Sequence, residues 1–180
     1  MNPTAKDVID FWVEAGPRRW FRGGPEFDAA CRDRFLDLHL AAARAELADW
    51  CRTAEGSLAL LLLLDQIPRN VFRGSAHAYA TDPMALALAD QAIENGHDRE
   101  YELELRSFFY LPFMHSEALA DQQRCVAIFQ GLPEAASGEW AVHHMEIIER
   151  FGRFPHRNRV LGRDSTPAEL AWMEAGGFQG

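Results

Sequence analysis

Lysine is almost missing from this sequence: of eighteen basic residues seventeen are arginine, and the exception is Lys6, near one end and outside any glycine-rich loop. That excludes a Walker-type phosphate lysine and argues against Schiff-base chemistry. Cysteine is scarce as well. Cys31, Cys51 and Cys125 are odd in number and form no C-x-x-C pair, which leaves neither a disulfide framework nor a zinc knuckle. They read as free thiols, with Cys31 recurring beside Phe27, Phe35 and Leu38 at helical spacing as a small core hydrophobe. Long apolar runs are absent too: the longest, Leu58 to Leu64, falls far short of the roughly 18 residues of a membrane span. The opening MNPTAKDVIDFW has no basic region followed by an apolar stretch, so no export signal is expected and the location expected is cytoplasmic. Strand alternation bounded by hairpin turns is also lacking.

What is present is acidic and apolar. The net charge of −9 repels nucleic acid and anionic membrane surfaces, so neither is an expected partner. With 180 residues, 48% hydrophobic, five Trp and twelve Phe, the chain is expected to enclose one core as a single domain over 1–180.

Seven or eight helices are expected, an all-α fold. The first begins at Thr4 as N-cap and stops at Gly16-Pro17, followed by a loop GPRRWFRGGP. The second runs from about Pro25 to Trp50, burying Phe27, Cys31, Phe35, Leu38, Ala42 and Ala45, with Asp28 and Arg32 paired on its other face. A central third, capped by Ser57, ends before Pro68. Asp82-Pro83 starts a fourth that closes at Asn95-Gly96 with Leu86, Ala89 and Ile93 along it, and a fifth spans Arg99 to Tyr110. Ser116 caps a sixth with Leu119, Val126 and Phe129 inward, which stops at Gly131-Leu132-Pro133. The seventh covers Gly138 to Phe151. The last opens at Thr166-Pro167-Ala168-Glu169, a capping box. Short connections imply antiparallel helical hairpins, arranged as a tetratricopeptide-like superhelix or an irregular bundle, although the 34-residue repeat pattern is incomplete.

Three segments concentrate the unusual polar residues: LLLLDQIPRNVFRG (61–74), FFYLPFMHSE (108–117) and RFGRFPHRNRVLGR (150–163). Together with VIDFW and LGRDSTPAEL, in that order over nearly the whole chain, they resemble the bacterial domain of unknown function 924 family. The resemblance implies an α-helical, tetratricopeptide-like fold and no established activity. It places Asp65, Arg69, Asn70, His115, Glu117, His144, Arg153, His156, Arg157 and Asn158 on motif positions. At position 67 this chain has Ile where Phe is common in the family.

Physical chemistry gives each of these a structural and a functional use. Asp65, Arg69, Asn70 and Arg73 stand where a helix ends, among carbonyls that need donors, and Asp65 suits an arginine partner from elsewhere in the chain. Glu117 and Asp121 near a helix start are favoured by the dipole alone. Wound at 100° per residue, the seventh helix puts His144 with Trp140, Ile147 and Phe151 on the apolar face and His143 on the charged one. A buried His144 needs a partner, for which Asp65 or Glu117 is the natural carboxylate. Arg150, Arg153, Arg157, Arg159 and Arg163 with His156 stand together in an acidic chain, and guanidinium forks match carboxylate or phosphate, with Trp20 or Phe154 as an apolar wall. No metal or cofactor is expected: there is no H-E-x-x-H, and the E-x-x-H from Glu94 to His97 contains a terminating glycine and lacks a second copy.

Three function classes follow. The first is a module recognising a small anionic molecule or peptide, with the three segments converging on one site. The second is an enzyme using His144 or His156 as general acid/base on an anionic substrate. The third is a structural or self-associating protein. Sequence leaves the ligand and the oligomeric state open.

Overall fold

Capped amphipathic segments become helices in the computed structural model, which describes residues 3–132 and 138–179; among these no strand occurs. The chain divides into two compact units, Met1–Pro112 and Phe113–Gly180. The first holds α1 (Ala5–Arg22), α2 (Gly24–Ala43), α3 (Ala54–Leu61), α4 (Ile67–Val71), α5 (Asp82–Glu94) and α6 (Leu103–Arg106). α7 (Leu111–His115) follows, and the second unit continues with α8 (Leu119–Gln130), α9 (Gly138–Phe151) and α10 (Pro167–Glu174). No helix among the described residues is long and apolar enough to cross a membrane.

In Met1–Pro112 the apolar run from α3 into the turn after it is central, as its composition requires: Leu58 to Leu64 are buried without a break, with α1 packed against α3 and α2 against α4. Thr4 and Asp7 make the capping box of α1. The expected stop at Gly16-Pro17 is a kink instead. Gly16 takes a φ of 72° and Pro17 starts a second helical segment through Arg22, so most of the expected loop is helical. Burial explains it: Trp20 stacks on Trp12 at 6.2 Å and donates its indole N–H to the Trp12 carbonyl.

α2 ends at Ala43, not Trp50, where Ala45 adopts a φ of 59° and is exposed, so no apolar contact favours continuation. Asp28 pairs with Arg73 and not with Arg32, which donates to the Val71 carbonyl; a tertiary partner outcompetes the helical neighbour. Thr53 caps α3, while Ser57 is buried within it and bonds the Cys51 carbonyl and His97. In α5 Thr81 is the N-cap and Asp82 is engaged by Arg69; the buried stripe is Ala85, Ala89 and Ala92. The expected helix from Arg99 to Tyr110 is broken into α6 between two 3₁₀ turns. Phe108, Phe109 and Tyr110 are all buried, which consecutive positions on one regular surface helix do not allow.

In Phe113–Gly180, α8 packs along α9. Ser116 does not cap α8; its hydroxyl accepts from Ala118 N–H and donates to Asp121. Leu119 is exposed, whereas Gln122, Cys125, Val126 and Phe129 are buried. α8 closes at Gly131, and Pro133 lies outside the described residues. α9 and the capping box of α10 have the expected bounds and partners.

Candidate functional site

The Asp65 segment lies in Met1–Pro112 and does not end its helix. Leu62–Gln66 form a π turn in which Ile67 N–H reaches back to the Leu62 carbonyl, and the chain runs through Pro68 into α4. Proline supplies no N–H and its ring crowds the carbonyl four residues earlier, so widening the turn relieves the clash but strips carbonyls of their donors. Side chains donate to the carbonyls along this stretch: His39 Nδ1 serves Leu63 at 2.8 Å, Thr81 Oγ1 serves Leu64, Arg69 serves Asp65 and Asn70 serves Gln66 at 3.1 Å. Arg69 also grips Asp65 at 3.1 Å and both oxygens of Asp82 at 3.0 Å. Burial alone would lower the Arg69 pKa, but the two carboxylates outweigh it and raise it. The arginine that pairs with Asp65 is thus Arg69, one turn away, and not one from a distant part of the sequence, because the turn itself brings the guanidinium to the carboxylate.

His115, Glu117, His144 and the 153–158 stretch all belong to Phe113–Gly180. Glu117 accepts a two-pronged bond from Arg163 at 2.6 and 3.0 Å and another from Phe154 N–H at 2.8 Å. Burial pushes its carboxyl up, but Arg163 and that N–H outweigh it and leave the pKa below the usual range. Arg153 is likewise committed: its fork meets Glu169 at 2.6 and 2.9 Å, and it donates to the Asp164 carbonyl. Asn158 donates to Ser165 and Glu169 and accepts from Arg163. These side chains tie the 153–163 loop to α10 and to the segment before α8. The bond from Arg153 drives the buried Glu169 carboxyl down to about 2.

Arg157 is placed differently. It is buried, its guanidinium carbon lies 4.5 Å from the centre of the Phe154 ring, and Nη1 donates to the His115 carbonyl at 3.0 Å. His144 and His156 each meet the same Phe154 ring at 5.6 Å. His144 does not bond a carboxylate: Nδ1 lies 2.8 Å from the Trp140 carbonyl, which only accepts, so the proton sits on Nδ1 and Nε2 keeps its lone pair. Burial pushes its pKa down to about 4, against that carbonyl and with help from His115, His143 and Arg157. It is neutral at pH 7 and a weak base there. Trp140, placed by the helical wheel on the apolar face, is exposed, and His143, expected in solvent, is half-buried against it. Trp20 belongs to the aromatic cluster of Met1–Pro112 with Trp12 and Phe108.

Both unusual pKa values fix a pH dependence. The unfolded chain takes up a proton at His144 near 6.5 but the folded one only near 4, so stability falls as pH drops across that interval. Glu169 has its usual 4.5 when unfolded and about 2 when folded; its contribution is complete above 4.5 and is lost toward 2. Melting temperatures measured from pH 7 to 2 are expected to fall in both windows. His144→Gln should flatten the upper one and Glu169→Gln the lower; unchanged slopes would contradict the assignments.

Sequence reasoning passed over Thr81, His39, Arg163, Glu169 and Phe178 as partners. Glu169 is visible in the sequence only as the third position of a capping box and Arg163 only as one of the arginine cluster, while Thr81, His39 and Phe178 carry no local signal. Burial raises the thiols of Cys31 and Cys125 to about 12, which removes them as nucleophiles at neutral pH. Among the described residues no group of three His, Cys, Asp or Glu is placed to hold a metal ion.

Residues 8–177 match the model of a family described as "Bacterial protein of unknown function (DUF924)". The chain is also similar to a solved structure, that of the protein of unknown function ATU0120 from Agrobacterium tumefaciens. The two share 53% identity and a TM-score of 0.92 over 96% of this chain and 97% of that one. No curated protein matches.

Proposed function

Because the chain belongs to the DUF924 family, whose description assigns no activity, we propose its function from the site alone: a helical module binding a small carboxylate- or phosphate-bearing molecule through Arg157. The setting of that side chain supports it. A buried guanidinium lies over the Phe154 ring, which the imidazoles of His144 and His156 also meet, and donates to the His115 carbonyl, in a chain of net charge −9. A desolvated fork of this kind recognises a carboxylate or phosphate strongly. Arg153, Asn158 and Glu117 hold the loop in shape, and Asp65, Arg69 and Asn70 hold the π turn. The low pKa of His144 makes general-base catalysis by that residue the weaker reading.

Titration calorimetry with acetate, succinate and inorganic phosphate tests the proposal. Arg157→Ala is expected to weaken the binding anion by about 1.5–3 kcal/mol, the range for a hydrogen bond to a charged group, with helix content kept. Arg157→Lys, which keeps charge but loses the fork, should fall between. If no anion binds the wild type at millimolar concentration, or if Arg157→Ala unfolds while Arg157→Lys binds like wild type, the fork is structural and the proposal fails.

A further inference from the structure

Phe178 lies past the last helix and outside every motif, yet its ring meets three imidazoles and an indole. Centroid distances are 4.7 Å to His144, 5.1 Å to His156, 5.8 Å to His143 and 6.4 Å to Trp140. The imidazoles approach at interplanar angles of 67°, 86° and 83°, near the edge-to-face geometry aromatic rings prefer. Phe178 also packs against the apolar cluster of Ile147, Ile148 and Phe154, so its ring stands where that core meets the imidazoles.

The backbone delivering this ring is lightly tied. After α10, Gly176 takes a φ of 89°, and Gly177 sits so close to Trp172 that a Cβ there would stand 2.6 Å from the indole. Only glycines make this bend. Among the described residues the last backbone hydrogen bond runs from Gly177 N–H to the Trp172 carbonyl. Beyond it the half-buried Phe178 is kept in place by its ring contacts, and the Gln179 amide folds back on the carbonyls of Met173 and Gly177. Segments with so few backbone bonds open at low cost.

His144 and His156, two walls of this cage, also flank Phe154, and the Arg157 guanidinium lies over that ring. The cage and the cation thus share two side chains. From this juxtaposition we infer that Phe178 is a displaceable occupant of a ring-binding cage, and that the ligand of the Arg157 site is a planar aromatic carboxylate whose ring takes the place of Phe178. The carboxylate rests on the anion-binding function proposed above; the cage stands on its own geometry.

Benzoate, benzamide and acetate titrated into the full chain separate the two. Calorimetry gives affinity, and the side-chain carbon–proton resonances of His144 and His156 report the ring directly. Benzoate is expected to bind at least about tenfold more tightly than acetate. In Phe178→Ala it should tighten by roughly another tenfold, because the competing conformation is removed, with Phe178→Leu between. The two histidine resonances should move with benzoate and not with acetate. If benzoate and acetate bind alike and Phe178→Ala changes neither, the cage inference is wrong while anion binding survives. If benzamide binds as well as benzoate and acetate not at all, the cage holds and the anion function fails. If Phe178→Ala melts lower and Phe178→Leu gains nothing for benzoate, Phe178 is a structural ring and the inference is overturned.

Discussion

Phe154→Ala is expected to destabilise the protein by about 3–5 kcal/mol, the cost of removing a fully buried phenyl ring. Phe154 has no exposed surface and packs with Ile147 and Ile148, and with the partly buried Phe151, Trp172 and Phe178. It also carries the Arg157 guanidinium on its face and stands beside His144 and His156. Truncation thus leaves a cavity where apolar core and polar cluster meet. Phe154→Leu keeps most of the apolar volume and should cost markedly less, about 1–1.5 kcal/mol. It nevertheless removes the flat surface under Arg157, so anion affinity should fall more in this variant than its stability does. Denaturant titrations of both variants check the first statement and calorimetry the second. A loss below about 1 kcal/mol for Phe154→Ala, the size of a single methylene, would mean the ring is not the keystone of this cluster.

Asp65→Ala is expected to cost about 3 kcal/mol, near the lower end for breaking a buried ion pair, because Arg69 keeps Asp82 as a second partner. Asp65 is 1% exposed and accepts from Gln66 Nε2 as well as pairing with Arg69, so its loss leaves buried donors short of an acceptor. Asp65→Asn, which keeps the shape and a carbonyl oxygen, should cost less. A double-mutant cycle of Asp65→Ala with Arg69→Ala isolates the pair, and a favourable coupling above about 0.5 kcal/mol is expected. Additive effects would show that Arg69 acts mainly on the Asp65 carbonyl and on Asp82.

By itself the sequence determined the class of fold and the position of most helices. Caps, first-turn prolines and apolar periodicity are local, so Thr4, Thr166 and the Gly138–Phe151 helix could be read directly. It also determined which residues are chemically unusual, since an arginine cluster and a DQIPRN string stand out in an acidic, lysine-poor chain. Tertiary structure decided what those residues hold. Pro68 marks a helix end by local rules, yet the helix continues, with His39, Thr81, Arg69 and Asn70 donating to its carbonyls around the π turn, and two of them lie far away in sequence. In the arginine cluster, spacing could not distinguish Arg153 and Arg163, locked to Glu169 and Glu117, from Arg157 on its aromatic ring. Charge pairing depends on which carboxylate the fold delivers within about 3 Å, and that distance is set by packing across dozens of residues, not by neighbours along the chain.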